Sequence, residues 1–383
     1  MRHCIFALLF LFISNTLLAQ NDEYLKELVL KCDFRTNSID VNKDNTQLLI
    51  GGENETVTVY DLQTKKEVFE TVAHYQPVVE VRFSTQHNGF YSIGDKSFKL
   101  WIDGAEKAEK VYTGSHTSIT DWDMTPDEDY FVGGSYEKKF RYWEAITLTT
   151  PQTVPTTQAK SVISIAISDD NKLIACGSLD QTIELFTADS LIKKHSIKAH
   201  AKPVCCLDFV NKGQHLISAS HDSYAKLWDV NTGQMLKLYK GHTKPISAIA
   251  ISPNGKYLLT ASYDYSISLY AISTGDRIYQ YKHHEAPVLD VKWTSSGDEF
   301  YSCDKEGQIA RWSVPKKVFV DFYFGTDINS EVHSNKLFQP RRKGESKGDF
   351  KARQAKADTY HQKLIDTYYQ KYLELLKTQT IAK

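Results

Sequence analysis

The chain has 383 residues, with 46 Lys and Arg against 47 Asp and Glu and a formal net charge of −1. So even a balance offers no field for wrapping nucleic acid or for lying on an anionic membrane, and neither is an expected partner. The 22 Tyr and 18 Phe suit a protein rich in half-buried strand positions.

Residues 1–20 read as an export signal. Arg2 and His3 form a short basic start, Cys4 to Ile13 is almost wholly apolar, and Leu17-Leu18-Ala19-Gln20 offers a small-residue cleavage site. The apolar run falls short of the roughly 20 residues that span a bilayer. The mature chain is therefore expected to be periplasmic or secreted, with no integral membrane segment. The Leu-Leu-Ala-Gln ending resembles signal peptides of Bacteroidota-type bacteria, which implies a periplasm. Cys32, Cys176, Cys205, Cys206 and Cys303 remain after cleavage, an odd number that cannot be a disulfide framework. Adjacent Cys205 and Cys206 are expected on opposite faces of a strand and so make a poor metal pair.

From about residue 26 to 315 one phrase recurs: a small residue, any residue, an acidic one, then an aromatic six residues later. It reads Ser220-His221-Asp222 with Trp228, Ser262-Tyr263-Asp264 with Tyr270, Ser178-Leu179-Asp180 with Phe186, and Ser135-Tyr136-Glu137 with Trp143. Weaker copies pair Asp95 with Trp101, Asn54 with Tyr60 and Glu306 with Trp312. Successive copies fall inside the ~40–45 residue period of a four-stranded propeller blade. His74, His116, His200, His242 and His284 run in phase, about 21 residues ahead of each acidic partner. Between the markers lie alternating apolar runs ending in turns, such as Ile246, Ile249 and Ile251 before Ser252-Pro253-Asn254-Gly255, the pattern of strands closed by tight turns.

Gly241-His242 and Trp228-Asp229 carry a resemblance to the WD40-repeat family. The resemblance implies an all-β fold: a seven-bladed WD40 β-propeller with a C-terminal helical extension. It implies a hydrogen-bonded network in each blade, in which the turn Asp accepts from the His, and a second-strand Ser and the Trp hold that His. Carried over, the sets are His200, Ser220, Asp222 and Trp228 in blade five and His242, Ser262 and Asp264 in blade six. Blade four lacks the His, and Asn54 and Glu306 stand where Asp is expected in blades one and seven. The family docks partner proteins on the narrow "top" face. The carried-over positions there are Tyr136, Leu179, His221, Tyr263 and Lys305, with Val79, Thr120, Ile163, Ser247 and Leu289 near the starts of first strands.

The last blade needs a strand to close the ring. Leu28-Val29-Leu30-Lys31 is the favoured candidate and 318–324 the alternative. The expected propeller thus covers 21–324, followed by a basic polar linker at 325–348 and an amphipathic helix at 349–383. On that helix Leu364, Ile365, Tyr368, Tyr372, Leu375 and Leu376 share a face, suited to packing on the propeller or to docking a partner. No phosphate-cradling glycine loop, nucleophile elbow or Cys-X-X-Cys pair is present. His283-His284-Glu285 lacks the spacing of a helical zinc site. The expected function is a protein-binding scaffold of the cell envelope, without catalytic residues, metal or cofactor. The alternative is a propeller hydrolase or sugar or lactone oxidoreductase with a metal or cofactor in its central channel.

Overall fold

A computed structural model describes residues 24–145, 151–342 and 344–381. The export signal at 1–20 lies outside the described residues. Seven four-stranded antiparallel sheets form the first compact unit. Six are built from consecutive strands, at 36–72, 78–112, 119–155, 162–198, 204–239 and 246–282. Within a blade, burial fades outward: the second strand Tyr257–Ser262 is buried throughout, whereas the fourth strand Lys66–Val72 alternates between exposed and half-buried. Inner strands are covered on both faces by neighbouring blades, and the outer one is an edge that meets water.

The seventh sheet joins three strands at 288–313 to Leu25–Lys31, which pairs antiparallel with Gln308–Ser313 through Leu25↔Trp312 and Leu30↔Ile309. The N-terminal strand therefore closes the ring. First strands pack on first strands round the axis, including Thr36–Val41 against Val288–Trp293 across the closure. Between blades the cores are aromatic or aliphatic. Phe98, Tyr112, Trp122, Phe131 and Trp143 cluster between blades two and three, and Leu185, Val204, Leu207 and Trp228 between blades four and five.

The alternative closing segment is not a strand. Residues 318–324 fall in helix α1 (Lys316–Ser334), so the propeller ends at Ser313 rather than 324. A seven-residue apolar run fits a buried strand and a helix equally, and only length separates them. The expected linker at 325–348 holds the end of α1 and a short 3-10 turn at Lys336–Phe338, and helix α2 runs from Lys347 to Ile381. These helices form a second compact unit, 313–383. Val320 and Ile328 of α1 bury with Leu364, Ile365 and Tyr368 of α2. Leu364, Ile365 and Tyr368 of the long helix's apolar face thus pack on α1; the side chains of Tyr372, Leu375 and Leu376 lie outside those described. Arg353 donates to the carbonyls of Leu337, Gln339 and Pro340 and pairs with Glu345, pinning the connection between the helices. No helix among the described residues is long and apolar enough to cross a membrane.

Candidate interaction face

Antiparallel order decides which residues share a face. In each blade the turn from second to third strand, and the loop from fourth strand to the next blade, leave the sheet at the same end. A His in the loop and an Asp at or beside the turn therefore meet there, as they do in four blades. His200 Nδ1 lies 3.0 Å from Asp222, His242 Nδ1 2.9 Å from Asp264, His74 Nδ1 3.3 Å from Asp95 and His284 Nδ1 2.8 Å from Asp304.

In blades five and six the hydroxyl that holds the His is not the one expected. His200 Nε2 bonds Ser218 Oγ at 2.8 Å, and Trp228 Nε1 donates to that same oxygen at 2.8 Å. Ser220 instead donates to Lys202 O and accepts from the Asp222 amide. In blade six the partner of His242 is Thr260 Oγ1 at 2.7 Å, while Ser262 donates to Lys244 O. Residues two apart on a strand share a face, so the spacing alone allowed either one. An indole N–H can only donate, so Ser218 accepts from Trp228. The Asp222 carboxylate can only accept, so the neutral His200 ring donates from Nδ1 and its Nε2 accepts from Ser218. The His proton then sits on Nδ1 and points at the carboxylate. Burial opposes the charge on Asp222, but His200 and the amides of Ala201 and Tyr224 outweigh it and hold its pKa at about 2. Burial likewise holds His74 down at about 4, so it is neutral.

Blades two and seven also carry the whole set: His74, Ser92, Asp95 and Trp101, and His284, Ser302, Asp304 and Trp312. In blade seven Asp304, not Glu306, supplies the carboxylate. Asp304 stands opposite Val288 as Ser220 stands opposite Val204, and its longer reach replaces the missing turn Asp. His116 is exposed and outside the network. Its blade instead buries Arg141, only 1% exposed, which donates to Gly114 O and Ser135 Oγ and pairs with Glu137. In blade four, buried Gln158 takes the place of the His and donates to Cys176 O at 3.0 Å.

The central channel is stitched in the same manner. Each first strand bulges after its first residue. The side chains of Asn37, Thr120, Cys205 and Ser247 then donate to the first carbonyl of the next blade, at 2.6–3.1 Å. Thr120 and Ser247, expected as docking residues, are spent on these bridges. The bulge also overturns the expectation for the cysteines, whose sulfurs lie side by side at 3.6 Å. Deeper in the channel, the amides of Phe83, Ile165, Ile167 and Ile39 donate to Asp40, Asp121, Asp123 and Asp290 of the preceding blades. Arg82 pairs with Glu80 and Asp123. Among the described residues no such partner of Asp208 is found; burial, and then Asp123, push its pKa up to about 7. Among the described residues no three His, Cys, Asp or Glu side chains gather as a metal site.

Of the other expected docking residues, Lys305 and Tyr136 are exposed, Tyr136 by 63%. Leu179, His221, Tyr263, Val79 and Ile163 are half-buried, and Leu289, at 7%, belongs to a core cluster against which Tyr263 packs. Sequence reasoning missed three more aromatics on this face. Tyr75, 89% exposed, follows His74 directly, while Tyr224 and Tyr265 follow Asp222 and Asp264 in the turns. Adjacency to a marker was the available signal. Lys99 Nζ lies 6.0 Å from the Tyr75 ring centre and Lys244 Nζ 4.7 Å from that of Tyr265.

The family model described as "WD domain, G-beta repeat" matches residues 150–187, 192–229, 233–270 and 275–313. The chain is 23% identical over 204 residues to the rat serine-threonine kinase receptor-associated protein, covering 53% of this chain and 57% of the relative. The human protein of that name is 25% identical over the same span. The guanine nucleotide-binding protein subunit beta of Arabidopsis thaliana is 31% identical over 130 residues, 32% of this chain and 33% of the relative. The chain thus spans little more than half the length of the first of these relatives.

Proposed function

The chain belongs to the WD40-repeat family of β-propellers, and from that premise we propose that it is a protein-binding scaffold whose partner docks on the face carrying the His–Asp pairs. The observation that carries this reading is the gathering of Tyr75, Tyr136, Tyr224 and Tyr265, all exposed, at one end of the ring. Rigid loops bearing large amphipathic rings make contact area at low entropic cost, and interfaces enrich such anchors. The relatives' names support it: one is receptor-associated, another is a subunit. On this reading the protein is a binding module rather than an enzyme, and the pattern at 1–20 sets it in the cell envelope.

The test is crosslinking pull-down from envelope extract with a Tyr75→Ala, Tyr136→Ala double variant, its folding checked by thermal melting. Both side chains are solvent-facing, so the melt should be unchanged while partner recovery falls. Unchanged recovery from a folded variant overturns the assignment of the face.

A further inference from the structure

Beside Tyr265 the same face dips into a pocket of about 330 Å³, between the loop at 241–243 and the outer strand Arg277–Lys282 of blade six. Its wall is built round a guanidinium. Gly241 has φ +148, and a Cβ there would overlap Arg277 Nη1, so the guanidinium tip rests directly against the glycine. Nη1 donates to Gly241 O at 3.3 Å, and no other hydrogen bond of Arg277 is found among the described residues. Arg277 is exposed and lines the pocket, so its remaining N–H donors are open to solvent there. The one carboxylate in the lining, Asp264, already accepts from His242, Thr243 N and Ser266. Gln280 is held on Ser266 Oγ, and Lys282 also lines the pocket.

The positive character continues inward. Lys244 stands two residues before the first strand of blade six, and Lys202 and Lys160 hold the same place in blades five and four. All three are exposed, and their carbonyls accept from Ser262, Ser220 and Ser178 at 3.1–3.3 Å, so the three loops are held alike. Asp222 and Asp264, the turn aspartates beside Lys202 and Lys244, are largely buried and bonded, so within these loops the ammonium groups are the charges that meet solvent.

We propose that this pocket and lysine arc bind an acidic, extended segment of the partner protein, with an Asp or Glu carboxylate entering the pocket to meet the Arg277 fork. The inference rests on the docking face proposed above and names the chemistry it reads. A planar guanidinium pairs with a carboxylate through two parallel hydrogen bonds, which a lysine cannot reproduce. The arc supplies the longer-range attraction that draws in an anionic chain.

A fluorescein-labelled Glu-rich decapeptide, with a Gln-for-Glu copy as control, tests this by anisotropy on the full chain. The Glu peptide should bind, more weakly as salt rises, and the Gln copy at least about tenfold more weakly. Arg277→Glu with Lys244→Glu should abolish binding, and Arg277→Lys should weaken it although charge is kept. Lys66→Glu, at the start of an outer strand, should change nothing. Equal binding of the two peptides, indifference to Arg277→Glu, or equally tight binding of a single-stranded oligonucleotide overturns the proposal. If the acidic peptide fails while envelope partners are still lost on removing Tyr75 and Tyr136, the partner chemistry is wrong and the docking face stands.

Discussion

Asp304 reaches His284 Nδ1 at 2.8 Å from a strand position that serine fills in blades five and six. One substitution thus makes good another, since the turn position of blade seven holds Glu306. The Asp304 carboxylate also accepts the amides of Glu306 and Gln308. Asp304→Ala should cost about 2–4 kcal/mol, because a buried ring N–H and two amides lose their acceptor. Glu306→Ala should stay within about 0.5 kcal/mol. Chemical denaturation of the two variants checks this; equal losses would return the role to Glu306.

Ser218 and Ser220 offer a second comparison on one strand. Ser218→Ala strips a partner from both His200 and Trp228, and should cost about 2–3 kcal/mol. Ser220→Ala removes one bond to a loop carbonyl and one from an amide, and should cost about 1 kcal/mol. The order of the two midpoints is the measurement.

Asp208 ties stability to pH. Its folded pKa, about 7, lies above the ordinary 3.8, so the folded state binds more protons between those values. Stability from this group is present below about pH 4 and is lost as pH rises through 7. Asp208→Asn should therefore stabilise the chain by about 1–3 kcal/mol at pH 8 and make no difference at pH 4. Melting temperatures of both proteins across that range decide it. A constant offset would mean that Asp208 is already ionised and satisfied in the channel.

Ring closure makes a prediction about association. Without residues 24–31 the strand Gln308–Ser313 would present unpaired backbone groups, a template for another chain. Light scattering should then show oligomers or aggregates in place of the intact chain's behaviour. A truncated protein that scatters like the intact one would show that the strand is dispensable.

Much of the ring was legible because each blade must solve the same problem. The aromatic, the turn acid and the loop His recur at one period, and the alternation between them marks strands. What escaped was anything settled by reach rather than spacing. Ser218 and Ser220 point to one face, so only geometry selects between them. His116 falls one residue beyond Ser115, which holds the loop position that His fills elsewhere, and Arg141 does the work from the third strand instead. The run at 318–324 carries strand-like residues yet continues into a helix whose partner, Leu364 to Tyr368, lies far along the chain. On the proposed docking face the carried-over positions include the exposed Tyr136, but Leu289 is buried and Thr120 and Ser247 are occupied between blades. The exposed tyrosines sit instead next to the markers.

The central claim is that one end of the ring meets the partner while the rim does not. Photoreactive phenylalanine derivatives placed singly at Tyr75 and Tyr136, and at the exposed rim positions Val68 and Leu236, test it in living cells. Crosslinks to a common protein from the two tyrosine positions and none from the rim are expected. Crosslinks confined to the rim, or equal from all four positions, would contradict the account.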